Sequence, residues 1–288
     1  MPDDPAGDGT PAGDGRDGDD GTLPTAPIRL DAELVRRGLA RSRGAAHAAI
    51  AEGRVRLDGR PAGKPALKVD AASALEVAGD DGYVSRAAHK LIAALDGFGV
   101  DARGRDALDV GASTGGFTQV LLERGARRVT ALDVGHGQLV DELRGDQRVI
   151  VVEGENAREL TAARLAELTG GPEQPDLIVG DLSFISLALV LPALRAVAHP
   201  DADFLLLVKP QFEVGKGGVK EGIVRDRRAR HTALRAVLSS AAQTGLDARG
   251  VLSSPVVGSS GNQEYLVHWT AGAGVDPTEW DEAIALLP

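Results

Sequence analysis

The sequence predicts two folded parts: a doubly wound, Rossmann-like α/β sheet and, ahead of it, a small α+β domain. Three observations lead to this prediction. Strand and helix patterns alternate from about residue 85 onward, a glycine-rich turn follows the first strand of that series, and positive charge is concentrated in a short segment before it. Regular alternation of strands and helices is typical of a mostly parallel sheet covered by helices on both faces.

Length and composition are those of an ordinary globular protein. The chain has 288 residues, 43% apolar and 26% charged, enough for one large domain or two smaller ones. It has no cysteine, which excludes disulfides, thiolate metal sites and a cysteine nucleophile and makes a reducing cytoplasm the default location. The most apolar stretch, residues 185–198, contains Pro192 and Arg195 and is shorter than the ~20 residues of a membrane span. Because the start is acidic and glycine-rich, unlike a signal peptide, a secreted or membrane-embedded product is disfavoured.

Charge divides the chain into three parts. Residues 1–22 hold seven aspartates against Arg16, a net charge of −6, and residues 28–78 hold ten Lys/Arg against six Asp/Glu, a net charge of +4. The whole chain carries −10 and residues 23–27 are uncharged, so the remainder, from residue 79 on, carries −8. We expect residues 1–27 to be a disordered acidic tail, because they hold too few apolar residues to offset the entropy of ordering.

Residues 28–79 are predicted to form the small domain. Two short helices, ending at Gly38 and Gly53, precede a strand that enters a hairpin at residues 55–59 and a further strand at residues 75–77. Basic residues cluster on the helix ends and the first strand. A solvated face is the ordinary explanation, but positive charge gathered in one module of an acidic protein favours contacts with phosphates. The basic residues concerned are Arg36, Arg37, Arg41, Arg43, Arg54, Arg56 and Arg60.

A linker is predicted at residues 80–84, followed by the sheet domain at residues 85–272 and a C-terminal helix within residues 273–288. Val251 and residues 266–269 predict one or two final strands. Ligands of such sheets bind at the carboxyl ends of the strands. The other strands are expected at residues 107–110, 129–133, 149–152, 177–181 and 204–209, and the helices near residues 116–124, 138–143, 158–168 and 187–198.

The turn after the first of these strands has the features of a nucleotide-binding loop. The run DVGASTGGFT, residues 109–118, passes from strand through a glycine turn into a helix, so a ligand can approach bare backbone and helix N–H groups. Asp133 closes the next strand, 22 residues after Gly111, where a carboxylate can accept bonds from ribose hydroxyls. The pyrophosphate fingerprint G-x-G-x-x-G is missing. Asp109 suits a cationic ligand, such as S-adenosylmethionine, better than a phosphate.

The same loop also satisfies G-x-S-x-G, the nucleophile elbow of α/β-hydrolases. In that interpretation Ser113 is a nucleophile, and Asp181 with His199 or His268 follows in the expected order. A hydrolase elbow comes after several earlier strands of its sheet, however, whereas a small basic module precedes this loop. The hydrolase interpretation therefore remains the weaker one.

Two lysines stand where a sheet of this kind places its chemistry. Lys209 ends the apolar strand at residues 204–209, and Lys90 lies in the helix that enters the domain. Asp181 ends its own strand, and Glu264 leads into the last one. The chain uses only six lysines against 26 arginines, and lysine, unlike arginine, can lose its proton near another cation in a dry cleft. Taken singly, each lysine has an ordinary explanation at a strand end or on a helix surface.

These residues carry a family resemblance. Residues 82–270 resemble the FtsJ (RrmJ-like) ribose 2′-O-methyltransferases through the motifs VSRAAHKL, DVGASTGGFT, GDLSFIS, LVKPQFE and GNQEYL, and the helix–helix–strand pattern of residues 29–59 resembles the S4 RNA-binding domain. This domain order is that of the TlyA family, whose members are described as haemolysins and as rRNA cytidine-2′-O-methyltransferases. The resemblance implies a catalytic tetrad of Lys90, Asp181, Lys209 and Glu264. It further implies a donor site for S-adenosylmethionine at Asp109, Gly111, Ser113, Gly115, Phe117, Asp133 and Asn156.

Two motifs depart from that family. The linker reads Asp81-Gly82-Tyr83-Val84 where relatives commonly have basic and aromatic residues, and the third-strand motif reads Glu153-Gly154-Glu155-Asn156 instead of Glu-Arg-Thr-Asn. The implied partners are ribosomal RNA and ribosomal subunits, with no metal and no membrane. Lys216 and Lys220 lie in a basic run, residues 215–230, which is interpreted as a mobile flap over RNA or, equally, as a solvated loop.

The predicted reaction is transfer of a methyl group to a ribose 2′-hydroxyl, with Lys209 as the base that takes the hydroxyl proton. Asp181 would orient Lys209 and the hydroxyl, and Glu264 would hold Lys90. Proximity to Lys90 and partial burial would favour loss of the Lys209 proton. Two further hypotheses stay open at this point: an RNA-binding or assembly factor that has the fold without the catalysis, and a pore-forming haemolysin.

Overall fold

The computed structural model describes residues 27–40, 43–51, 53–77, 82–215, 221–258, 261–272 and 276–288. Three of the predicted RNA contacts, Arg41, Lys216 and Lys220, and the predicted acidic tail up to residue 26 lie outside these ranges.

The small basic domain consists of two helices and five short strands. A two-stranded antiparallel sheet pairs β1 with β4, and a three-stranded sheet has the order β3-β2-β5. Leu30, Leu34, Ile50 and Val55 form the centre of its own apolar core. Its elements are β1 (Ile28–Arg29), α1 (Leu30–Arg36), α2 (Arg43–Ala51), β2 (Val55–Leu57), β3 (Arg60–Pro61), β4 (Lys68–Val69) and β5 (Leu75–Val77).

The sheet domain follows the alternation that the sequence predicts. Its elements, after the linker, are α3 (Ala87–Phe98), β6 (Asp106–Val110), α4 (Gly116–Glu123), β7 (Arg128–Asp133), α5 (Asp141–Arg144), β8 (Val149–Glu153), α6 (Ala162–Thr169), β9 (Leu177–Gly180), α7 (Leu191–Val197), β10 (Asp203–Val208), α8 (Pro210–Glu213), α9 (Arg227–Gln243), β11 (Leu246–Ser253), β12 (Tyr265–Ala271) and α10 (Asp281–Leu286). Short 3₁₀ helices occur at Ala157–Glu159, Leu187–Leu189 and Pro277–Trp280.

The seven strands of this domain form one sheet in the order β11-β12-β10-β9-β6-β7-β8. Strands β6 to β10 run parallel, and β12 is antiparallel to both of its neighbours. The strand order reverses between β6 and β9, so the loops after these two strands diverge and leave a crevice at their carboxyl ends.

Helices cover both faces of the sheet, as predicted for a doubly wound fold. Successive residues of a strand point to opposite faces. In β10, Leu205 and Leu207 pack in the core beneath α3 and α4, whereas Phe204 and Leu206 pack in the core beneath α7 and α9. The strands are therefore apolar on both sides, which explains why they read as continuous apolar runs.

The structure corrects two details of the sequence prediction. Asp181 and Lys209 lie one residue beyond the ends of β9 and β10, so neither belongs to a strand. The predicted basic flap is also too long, because Arg227 and Arg230 lie in the first turn of α9. Arg227 donates to backbone carbonyls of Ala285 and Leu287, so this helix start is fixed by the C-terminal segment.

The linker between the two domains is held by one side chain of α4. The Gln119 amide donates to the Gly82 carbonyl at 2.8 Å, and its oxygen accepts from the Val84 N–H at 2.9 Å. Gln119 thus contacts the linker backbone on both sides of Tyr83, whose ring makes an edge contact with His89 at 5.5 Å. The linker is in this way attached to the helix that begins at the glycine loop.

Candidate active site

Four charged side chains meet at the crevice between β6, β9 and β10. Lys90 Nζ lies 3.0 Å from Asp181 Oδ2 and 2.7 Å from Glu264 Oε2. Lys209 Nζ lies 2.6 Å from Asp181 Oδ1. All four side chains are largely buried, with exposed fractions of 8% for Lys90, 14% for Asp181, 9% for Lys209 and 2% for Glu264. The residues that the sequence prediction grouped from four distant motifs therefore form one connected set.

The charges of this set fix one another's protonation. Burial alone would lower the pKa of Lys90, but Asp181 and Glu264 outweigh it, and the net effect raises that pKa. Burial alone would raise the pKa of Asp181, but Lys90 and Lys209 outweigh it and lower that pKa. Lys90 thus stays an ammonium at neutral pH and Asp181 stays a carboxylate. The stabilisation from Asp181 is present at neutral pH and is lost as the pH falls below the ordinary carboxyl range.

Neighbouring residues that the sequence analysis did not single out complete the set. Lys209 also donates to the Ser183 hydroxyl at 2.8 Å, and the Gln211 amide donates to Glu264 Oε1 at 3.3 Å. Phe184 has φ +65° and a side chain that is 91% exposed, and its ring lies 5.3 Å from that of Phe212. All of these lie inside the motifs GDLSFIS and LVKPQFE, but nothing in their residue types distinguishes them from ordinary loop residues.

Two cavities adjoin at this set. One, of about 540 Å³, is lined by the four charged residues, the glycine loop and Phe212; the other, of about 550 Å³, is lined by Asp133, Asn156 and the loop after β9. Shared lining residues are Gly111, Ser113, Asp181, Ser183 and Phe184. Such a pair of spaces can bring two ligands together, with Asp181 lining both cavities and Lys209 lining the first one beside Asp181.

The glycine loop that separates the cavities adopts backbone angles that ordinary side chains rarely tolerate. Gly115 has φ +101°, and a Cβ there would lie 2.3 Å from Leu143. Ser113 has φ +48°, and its N–H donates to Asp133 Oδ2 at 2.8 Å. The second oxygen of Asp133 accepts from the Gly135 N–H at 2.7 Å. Asp133 is therefore placed at the end of β7, as predicted, and organises the loop beside it.

Comparison with known proteins identifies the family. The model of the FtsJ-like methyltransferase family matches residues 83–271, about two thirds of the chain, and the S4 domain model matches residues 28–73. The chain belongs to the FtsJ-like methyltransferase family. The resemblance stated from the sequence motifs is thereby confirmed for both parts of the chain.

Individual relatives of this FtsJ-like methyltransferase are consistent with this family assignment. The 16S/23S rRNA (cytidine-2′-O)-methyltransferase TlyA of Mycobacterium tuberculosis is 54% identical over 83% of this chain and 88% of its own length. Hemolysin A of Brachyspira hyodysenteriae is 38% identical over 84% of this chain and 99% of its own. A solved structure from Streptococcus thermophilus, named as a candidate hemolysin, has 35% identity and a TM-score of 0.70, covering 91% of this chain and 96% of that one.

The donor implied by the family is S-adenosylmethionine, and the residues present fit it. Asp109 is fully buried beneath the glycine loop, where Oδ2 accepts from the Thr118 hydroxyl at 2.6 Å and Oδ1 has no partner among the described residues. Burial raises the pKa of Asp109 to about 7 although the Thr118 bonds oppose the shift. A buried carboxyl group held this way is stabilised by a cation nearby, and the donor carries both a sulfonium and an ammonium group.

Other predicted donor contacts of this FtsJ-like methyltransferase occupy different positions. Phe117 is buried in α4 and reaches the cavity of the four charged residues. Asn156 lines the Asp133 cavity, but its Oδ1 accepts from the Arg158 N–H at 3.1 Å and its amide donates to Glu159 at 3.3 Å. Local capping thus already uses both ends of the Asn156 side chain, which leaves its contact with the donor a prediction.

In the S4 domain of this FtsJ-like methyltransferase, two buried carboxylates, Asp31 and Glu33, form ion pairs with four of the arginines. Asp31 is paired with Arg29, Arg43 and His47, and bonds from Arg36 and Arg37 lower the pKa of Glu33 to about 2, although burial opposes them. Arg37 also donates to the backbone carbonyls of residues 70, 71 and 73 and is thus committed to holding the domain together. Of the remaining predicted contacts, Arg56 and Arg60 are exposed and Arg54 is half-buried.

The hydrolase interpretation finds no support among the described residues. The Ser113 hydroxyl donates to Gln138 at 3.2 Å, His199 Nδ1 accepts from the Asp201 N–H at 3.2 Å, and His268 pairs with Asp203 at 2.7 Å at the opposite end of β10, so these residues form no Ser-His pair. The described part of the chain contains no group of three or more His, Asp or Glu that could hold a metal ion. Within the same residues, no helix has the length and apolar character to cross a membrane.

We expect Asp133→Ala to weaken binding of S-adenosylmethionine while leaving RNA binding nearly intact. Loss of a carboxylate that accepts from the donor ribose costs roughly 1.5–3 kcal/mol, about ten- to hundredfold in affinity. Isothermal titration calorimetry with the donor measures this, and Asp101→Ala, an exposed carboxylate outside both cavities, is the matched control. Unchanged donor affinity in a folded Asp133→Ala variant would remove Asp133 from the donor site.

Proposed function

We propose that this protein transfers the methyl group of S-adenosylmethionine to the ribose 2′-hydroxyl of a cytidine in ribosomal RNA. The observation that carries the proposal is the buried set Lys90, Asp181, Lys209 and Glu264. The set lines one cavity, proposed for the acceptor, and its Asp181 also lines the adjoining cavity beside Asp133, proposed for the donor. The choice of cytidine and of ribosomal RNA rests on the activities for which the TlyA relatives are named.

The bound donor supplies an electrophilic methyl group; the protein supplies a base and a fixed geometry. A ribose hydroxyl is a poor nucleophile, so its proton must leave as the new bond forms. Lys209, which lines the proposed acceptor cavity beside Asp181, is the proposed base and takes this proton on Nζ in its neutral form. Asp181 Oδ1, at 2.6 Å, and the Ser183 hydroxyl, at 2.8 Å, hold Nζ in place. Positioning of two bound reactants supplies a large part of the rate.

Lys90 and Glu264 act on this base from behind. Lys90 contacts Asp181 Oδ2 at 3.0 Å and stays charged, so the Asp181 carboxylate is shared between Lys90 and Lys209. Glu264, 2% exposed, neutralises Lys90 at 2.7 Å. The two lysines and the two carboxylates therefore alternate along one chain of contacts that ends at the proposed base.

A third cavity supports the proposed RNA substrate. It measures about 310 Å³, lies where the S4 domain meets the linker and α3, and is lined by Arg54, Arg86, Tyr83 and His89. Ser85, Arg86, Val256 and Val257 line both this cavity and that of the four charged residues. Cationic and aromatic side chains suit a polynucleotide, whose phosphates and bases they contact. An RNA strand held by the S4 domain can thus continue to the proposed base.

The test uses purified ribosomal subunits and S-adenosylmethionine labelled in its methyl group, followed by mapping of 2′-O-methyl positions. The proposal predicts label on a ribose of cytidine in subunit RNA. Binding of the donor without transfer to any subunit would instead support a non-catalytic RNA-binding factor. Lysis of cells by the purified protein at low concentration, without methyl transfer, would support the haemolysin hypothesis. The proposed ribosomal substrate carries with it a cytoplasmic site of action.

Removal of residues 1–78 is expected to preserve the sheet domain and to abolish useful methylation of ribosomal RNA. The S4 domain has its own apolar core, and its loss removes the phosphate contacts that hold the RNA. We expect the affinity of the whole protein for RNA to fall steeply with salt and that of the truncated protein to be weak at every salt concentration. Full activity of the truncated protein on intact subunits would contradict the assigned role of the S4 domain.

A further inference from the structure

The loop that carries Asp181 is cross-linked to the segment that carries Lys209. Glu213, the last residue of α8, accepts from the Ser186 hydroxyl at 2.6 Å and from the Leu187 N–H at 2.7 Å. Burial raises the pKa of Glu213, although both bonds oppose the shift. A desolvated carboxylate with two donors from one turn is a strong local restraint, because bonds to a charged acceptor are about twice as strong as neutral ones.

These bonds determine where the loop after β9 ends. Its start is fixed because β9 pairs with β6 and β10, and its far end, at Ser186 and Leu187, is fixed by Glu213. Between these two points lie Ser183, which accepts from Lys209, and Phe184. The loop is therefore restrained at both ends within six residues.

The backbone of Phe184 is strained, which indicates that contacts around the loop hold it in this conformation. Its φ of +65° lies in the left-handed region, which is unfavourable for a residue other than glycine and persists only where surrounding contacts impose it. Its side chain is 91% exposed, so burial of the ring does not offset this cost. The contacts that hold this loop are the ring contact with Phe212, the bonds from Lys209 to the Asp181 carbonyl and the Ser183 hydroxyl, and the two bonds to Glu213.

We propose that Glu213 is a positioning residue for methyl transfer: by holding Ser186 and Leu187 it sets the loop in which Ser183 orients Lys209 and Phe184 borders both cavities. The inference rests on the proposed function. Glu213 lines neither cavity, so it acts on the site through the two segments that it joins, the loop after β9 and α8. Displacing reacting groups by about 1 Å can cost on the order of a hundredfold in rate.

Glu213→Ala is expected to lower kcat by about 10- to 100-fold, with the Kd for RNA changed less than about threefold, because the S4 domain supplies most of the RNA affinity. Glu213→Gln is expected to restore kcat to within about threefold of the wild type. Its amide oxygen can accept from the Leu187 N–H, and its amide nitrogen can donate to Ser186 once that hydroxyl turns. Both rates are divided by the folded fraction, measured by circular dichroism.

Asp106→Ala is the matched control. Asp106 is a carboxylate, 8% exposed, that likewise holds side chains from another segment, Arg127 and Arg128, but at the opposite end of β6 from the site. Its loss is expected to lower stability and to leave kcat per folded molecule unchanged.

A double-mutant cycle with Phe184→Gly separates positioning from stability. Glycine accepts a positive φ without strain, so Glu213→Ala in the Phe184→Gly background should cost much less in kcat than in the wild type. Multiplying rate losses in the double variant, or a Glu213→Ala protein with wild-type kcat per folded molecule, would overturn the inference. Failure of the wild type itself to methylate RNA would contradict the proposed function and not this step.

Discussion

Lys209→Arg is expected to reduce single-turnover methyl transfer by about 10²–10⁴-fold, the usual contribution of a positioned base. Arginine keeps the positive charge beside Asp181 and stays protonated at neutral pH, so it retains the ion pair and loses the ability to accept a proton. Donor affinity and RNA affinity should therefore change little. The rate is measured with labelled donor and ribosomal subunits from pH 6 to 10.

The pH dependence gives this prediction its second readout. If Lys209 must be neutral to accept the hydroxyl proton, the wild-type rate rises with pH and then reaches a plateau, and Lys209→Arg lacks this rise. Lys68→Arg is the control, because Lys68 is exposed on β4 and the substitution retains its positive charge. Near-normal turnover of Lys209→Arg with an unchanged pH profile would exclude Lys209 as the base, even with methylation established.

Lys90→Met is expected to lower the free energy of unfolding by about 3–5 kcal/mol. It leaves Glu264, 2% exposed, as a buried carboxylate whose remaining side-chain partner is the Gln211 amide at 3.3 Å. Asp181 keeps Lys209 and is affected less. Urea unfolding at pH 7.5, followed by circular dichroism, measures the loss.

A second substitution tests the cause. Lys90→Met/Glu264→Gln should recover a large part of the lost stability, because it removes the unpaired charge, and should recover no activity. Lys68→Met, on an exposed lysine, should change the free energy of unfolding by less than about 0.5 kcal/mol. A Lys90→Met protein within about 1 kcal/mol of the wild type would show that the pair with Glu264 is well solvated, contrary to its described burial.

The predictable features of this protein are those set by local pattern. Strand β10 is apolar on both faces, so residues 204–208 could be identified as a buried strand, and Lys209 and Asp181 could be placed at the carboxyl edge by strand position alone. That Lys90, from the entering helix, reaches Glu264 at 2.7 Å followed from the family motifs and not from spacing, since no local pattern joins them.

The features that could not be predicted depend on tertiary contacts between loops. The roles of Ser183 and Glu213 arise because two segments, about 27 residues apart in the chain, end side by side at the carboxyl edge of the sheet. The positive φ of Phe184 occurs in the loop that these contacts hold, and its residue type does not predict it. Conversely, the charge of Arg37 predicts a contact with RNA, whereas its guanidinium donates to three backbone carbonyls of its own domain.

The pairing of Lys90 with Glu264 also has a consequence for biogenesis. The two residues are 174 positions apart, and Glu264 leads into β12, which enters the sheet beside β10 only after α9 and β11 have been made. Contacts of such long sequence separation form late, after loop-closure entropy has been overcome. A nascent chain that has emerged only as far as Lys209 already holds Asp181, which pairs with Lys90 at 3.0 Å, but lacks Glu264, the second carboxylate in contact with Lys90. On the proposed function, we expect methyl-transfer activity to appear during refolding only after β12 has joined the sheet, because Glu264 then completes the set of four charged side chains.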